Sequence, residues 1–72
     1  MLKKLEISYD EETDNAYIYL SKIGQGEITE TITYDDLPSN IKGDINLDFD
    51  KNGMLRGIEI IGAKKVLPSN FF

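Results

Sequence analysis

The chain has no cysteine, no histidine and no tryptophan among its 72 residues, and only two prolines. Without cysteine there are no disulfides and no thiolate metal site. Without histidine there is no imidazole ligand, no Ser-His-Asp triad and no imidazole acid or base. Any catalysis would rest on Asp, Glu, Lys, Tyr or a hard cation, so the sequence predicts a protein that is not an enzyme and carries no cofactor. Apolar runs of the ~20 residues needed for a membrane span are also missing. The opening MLKKLEISYD lacks the apolar stretch of a signal peptide. These absences predict a cytoplasmic protein without membrane association.

Positive charge is scarce. Eight basic residues face thirteen acidic ones, for a net charge of −5. The basic residues are Lys3, Lys4, Lys22, Lys42, Lys51, Arg56, Lys64 and Lys65. They are scattered rather than clustered, which argues against nucleic-acid binding. An acidic surface favours solubility and could steer a basic protein partner. At this length the chain forms one domain over 1–72, with a core expected at about 4–68 and a tail at 69–72. Its net stability from a single core is only about 3–5 kcal/mol, so a partner subunit or an oxygen-ligand metal would help to hold it.

What is present is period-two alternation. Leu5, Ile7 and Tyr9 alternate with Lys4, Glu6 and Ser8. An acidic turn (Asp10, Glu11, Glu12, Asp14) follows, expected to be a solvated charge run. In AYIYL, residues 16–20, Ala16, Ile18 and Leu20 oppose Tyr17 and Tyr19. In EITETITY, residues 27–34, Ile28, Ile32 and Tyr34 oppose Thr29, Thr31 and Thr33. Glu30 falls on the apolar side, which predicts an edge position or a bulge. Residues 35–43 read as a loop, DINLDF (44–49) and LRGIEII (55–61) as strands. Gly57 within the last strand predicts a bulge or a close backbone approach. GAKKVL (62–67) can form one or two helical turns before Pro68 stops them. Phe71 and Phe72 either dock or fray.

The fold expected is β-rich α+β: an antiparallel meander of about five strands with one short C-terminal helix. So short a helix covers the apolar face poorly, which predicts a homodimer.

Residues 48–59, DFDKNGMLRGIE, admit two readings. Asp48, Asp50, Asn52, Gly53 and Glu59 fit the calcium-loop pattern D-x-[DN]-x-[DN]-G-x₅-E, with Leu55 at its hydrophobic position. The flanking INLDF and IEII alternate as strands, however, whereas that loop needs helices on both sides. The favoured reading is a hairpin with a four-residue turn at 50–53, Gly53 left-handed and Asp50 and Asn52 bonding locally. The alternative is a divalent-metal (calcium) site using Asp48, Asp50, Asn52 and Glu59. Glu59 otherwise reads as an outward residue paired with Arg56 or Lys51. Tyr17 and Tyr19, aromatic on the polar side of a strand, are the candidate partner-binding residues, since such rings serve both as cross-strand packing and as contact anchors.

YDEETDNAYIYL, ETITYD and INLDFDKNGMLRGIEIIGAKKVLP, in that order over about residues 9–68, resemble the domain of unknown function 2283 family of small prokaryotic domains. The resemblance implies a small β-rich domain with no established activity and a turn at 48–59 that joins strands. Some members sit beside small toxin-like proteins. That implies a protein-interaction module, in its sharpest form an antitoxin-like partner of a small basic protein.

Overall fold

The computed structural model describes all 72 residues as a single five-stranded antiparallel sheet. The strands are β1 (Glu6–Asp10), β2 (Asn15–Tyr19), β3 (Glu30–Tyr34), β4 (Asp44–Phe49) and β5 (Leu55–Ile61). A four-residue helix, α1 (Ala63–Val66), and a 3₁₀ turn (Ser69–Phe71) close the chain. The protein is thus mostly β, and no helix is long and apolar enough to cross a membrane.

The strand order is β1-β2-β5-β4-β3, which corrects the expected meander. Each hairpin forms between neighbours in sequence, but β5 inserts between β2 and β4, and β3 is driven to the far edge. The cause lies in two features. LRGIEII is the strand best suited to burial on both sides, so it takes the centre. The β2–β3 connection is then carried along one end of the sheet and pinned by Arg56. That guanidinium donates to the Lys22 carbonyl (2.5 Å), the Ser21 hydroxyl (2.5 Å), the Glu27 carboxylate (3.1 Å) and the Asp50 carboxylate (3.1 Å). Glu27 also accepts from the Gly24 amide. Glu27 is thereby drawn out of the strand expected to begin with it, and β3 starts three residues later.

Register places the apolar residues in rows across the sheet. Ile7, Ile18, Ile58, Leu47 and Ile32 form one unbroken row from edge to edge. Tyr9, Ala16, Ile60, Ile45 and Tyr34 form the next. The second row is the one capped: Ala63, Val66, Leu67 and Phe71 pack near Ala16 and Ile60, with Ile18 and Ile58 of the first row bordering them. The buried apolar core is therefore just Ala16, Ile60 and Ala63. The Cα radius of gyration is 12.9 Å, whereas about 11 Å is usual for this length, as expected of one layer without a second.

Docking of α1 depends on Asp14. Asp14 adopts a left-handed φ of 56°. Its carbonyl accepts from the Gly62 and Ala63 amides. Its carboxylate accepts from the Lys64 amide (3.1 Å) and from the Tyr9 hydroxyl (2.7 Å). The acidic turn is thus more than a solvated run: one member of it, Asp14, is the clasp for the C-terminus. The tail docks as well, Phe72 lying edge-on to Tyr9 with centroids 4.8 Å apart. Glu30 sits on the edge strand β3, as its parity required.

Candidate functional site

Residues that point away from α1 form the second face. In register, Ser8, Tyr17, Glu59, Asn46 and Thr33 make one row, and Glu6, Tyr19, Gly57, Asp48 and Thr31 the next. Asp10 and Asp44 extend it at the other end of the strands.

Gly57 organises this face. A β-carbon there would collide with the Tyr17 ring, so the glycine leaves a groove in which that ring lies flat across β5. The Tyr17 hydroxyl then reaches β4 and donates to Asp48 Oδ2 at 2.5 Å. The other oxygen of Asp48 accepts from the Thr31 hydroxyl at 2.6 Å. Three side chains link β2, β4 and β3 in this way, crossing over β5. Burial, and after it the bond to Asp48, pushes the Tyr17 hydroxyl pKa up. Tyr19 packs beside Tyr17, centroids 4.7 Å apart and tilted by 52°. Both rings are half-buried.

The same glycine marks a bulge. Asp48 pairs with Gly57 but Phe49 pairs with Leu55, so Arg56 is the extra residue. The bulge turns Arg56 out of the ladder toward the β2–β3 connection. Both readings of Gly57, bulge and close approach, are realised at once.

The face is rich in acceptors. Its strand positions carry Glu6, Asp10, Asp44, Asp48 and Glu59 and no lysine or arginine. Asn46 donates to Glu59 Oε1 at 2.8 Å, while its own buried Oδ1 has no hydrogen-bond partner in the chain. Glu59 is therefore paired with Asn46, not with Arg56 or Lys51 as expected. Arg56 forms its ion pairs with Glu27 and Asp50.

The residues of the calcium pattern are split among different roles. Asp48 and Glu59 lie in the sheet, each bonded to neighbours. Asp50 and Asn52 lie in the turn. There Asp50 accepts from the Asn52 and Met54 amides and from Arg56. Its backbone carbonyl accepts from Gly53, whose φ is 75°. The Met54 amide is the main reason the Asp50 carboxyl lies below its ordinary value. Strands, not helices, flank the turn, and nowhere do three or more carboxylates converge into a group able to hold a metal ion.

Sequence reasoning found Tyr17 and Tyr19 but missed Asp48 as their partner in the sheet, Thr31 as its second donor, and Asn46. The available signal was Gly57: a glycine in a central strand one row from a tyrosine leaves a place for the ring.

Residues 6–64 match the family described as Protein of unknown function (DUF2283), and the chain belongs to that family. No curated protein and no solved structure matches it.

Proposed function

We propose that the protein is an interaction module that binds a small basic protein through the Tyr17/Tyr19 face, in the manner of an antitoxin holding its partner. The observation that carries this reading is the one-sided chemistry of that face: five carboxylates and two adjacent aromatic rings, with no cation at its strand positions. Lysine and arginine side chains of a partner pair with the exposed carboxylates, and the tilted tyrosine pair offers flat area for an aliphatic stem or a guanidinium plane. Rim carboxylates such as Glu6, Asp10 and Asp44, all exposed, steer the encounter. Asp48 and the tyrosines give the contact its orientation. No step of bond making or breaking is part of this function.

The test is co-purification of the chain from cells of its own source at low and high salt, in parallel with Tyr19→Ala and with a Glu6→Gln/Asp44→Asn double variant. A stoichiometric basic protein is expected with the parent chain, reduced by salt and by either variant. Recovery of the chain alone, or of a partner indifferent to both the salt and the variants, would overturn the reading.

A further inference from the structure

The opposite face presents a different problem. Of its edge-to-edge aliphatic row, Ile7 is 47% exposed and Ile32 45%, and Ile18, Ile58 and Leu47 are only half-buried. Leu5, Leu20 and Tyr34 stand exposed around it. The chain presents 5676 Å² to solvent, against about 4,500 Å² for an ordinary folded monomer of its mass. The exposed Met1 and Leu2 before β1 contribute to that excess, as do Leu5, Ile7, Ile32 and Tyr34 on the sheet. The surplus is on the order of 1,000 Å², comparable to the ~800 Å² that each partner contributes to a standard interface.

Charge selects the occupant. Glu30 projects among the apolar residues at the β3 edge, and the chain's ion pairs leave it unmatched. At the same end of the strands, on the opposite edge, lie Lys3 just before β1 and Lys22 just after β2, which share the parity of Ile7 and Ile18 and are also outside any ion pair. A two-fold axis running along β5 places β1 of one copy over β3 of the other and keeps that end of the strands in common. It sets each Glu30 opposite the other copy's lysines, twice over. An axis across the strands would instead lay β3 antiparallel over β3, with Glu30 over the partner's Tyr34 and away from any lysine.

We propose that the open face is closed by a second copy of this chain, packed sheet on sheet about a two-fold axis along β5, with Ile7, Ile18, Ile58, Leu47 and Ile32 as its apolar centre and Glu30 facing Lys3 and Lys22 of the other copy. The arrangement is isologous. It leaves both Tyr17/Tyr19 faces outward, so it adds to the binding function above without depending on it.

Sedimentation equilibrium of the full chain across a micromolar concentration series tests the proposal. A monomer–dimer equilibrium is expected. Ile32→Lys, at a position already exposed and therefore harmless to the fold by circular dichroism, abolishes the dimer. Glu30→Lys weakens it about tenfold, and adding Lys3→Glu and Lys22→Glu to Glu30→Lys restores most of the loss, as like-charge juxtaposition predicts. A monomer at every concentration overturns the proposal and assigns the face to a different protein. A dimer indifferent to Glu30→Lys overturns the axis.

Discussion

The two faces of this sheet are drawn from the same five strands and the same register, yet they differ in how far each satisfies itself. On the polar face Tyr17, Asp48 and Thr31 close a chain of short hydrogen bonds across four strands, and Gly57 makes the room for it. On the apolar face the second layer centres on the row at Ala16 and Ile60, and the next row only borders it at Ile18 and Ile58 and stands exposed at Ile7 and Ile32. The difference follows from the nature of the forces. Hydrogen bonds are directional and local, so a few side chains in one layer can complete them. Burial of apolar area needs a second surface, and a four-residue helix is too small to be one.

The contrast is sharpest between Ile60 and Ile58, adjacent in parity on β5. Ile60 is 6% exposed under α1. Ile60→Ala is expected to cost about 2–4 kcal/mol, a large share of this domain's stability, by urea unfolding at any protein concentration. Ile58→Ala is expected to cost less in dilute solution and to show its remaining cost only where copies associate. Equal, concentration-independent losses would mean that the open row is already fully packed.

Gly57→Val breaks the polar face from beneath. The new side chain occupies the place of the Tyr17 ring, and the expected loss is about 1–3 kcal/mol, accompanied by release of the Asp48 bond. Tyr17→Phe removes the bond alone and is expected to cost about 1 kcal/mol. If Gly57→Val is no worse than Tyr17→Phe, the ring is not held where the glycine leaves room for it.

Titration separates the clasp from both faces. The hydrogen bond to Asp14 raises the Tyr9 hydroxyl from 10.0 to about 12. A group raised on folding stabilises fully below its unfolded pKa, so stability is expected to fall as pH climbs from 10 to 12. At the acid end, Asp14 is held below 3.8 chiefly by the Tyr9 hydroxyl, and Glu27 below 4.5 chiefly by the Gly24 amide. Their contribution is complete above those ordinary values and is lost as pH drops through the lowered ones. Amide exchange in residues 63–67 should rise first on acidification, because protonated Asp14 loosens its hold on α1. Exchange rising evenly over the sheet would contradict that role.

The smallest effect expected is that of calcium. With Asp50 engaged by Arg56 and Asp48 by Tyr17 and Thr31, millimolar calcium should leave the thermal midpoint unchanged. A rise in midpoint that Asp48→Ala removes would establish a metal site in the 48–59 hairpin and displace this account of Asp48.

Local chemistry made much of this legible in advance. Alternation located the strands, with DINLDF and LRGIEII correct to the residue. The Asp50–Gly53 turn, the halt of α1 at Pro68, the edge position of Glu30 and the double role of Gly57 all follow from the preferences of single residues or their immediate neighbours. The family, too, was recognisable from the order of its motifs. Strand order was not, because alternation is identical in a meander and in the sheet that forms; the choice rests on which strand gains most from burial on both sides and on Arg56 pinning a connection more than thirty residues away in sequence. For the same reason Thr31 and Tyr17 could be assigned to one face but not joined through Asp48, and Asp14 could be seen as a charge but not as the anchor of α1, fifty residues on. Sequence by itself determined the elements, the turns and which residues share a face, since these depend on neighbours one to four positions apart. Only the tertiary structure decided which faces meet, because long-range pairing is set by the summed burial of the whole chain and by contacts that no local pattern encodes.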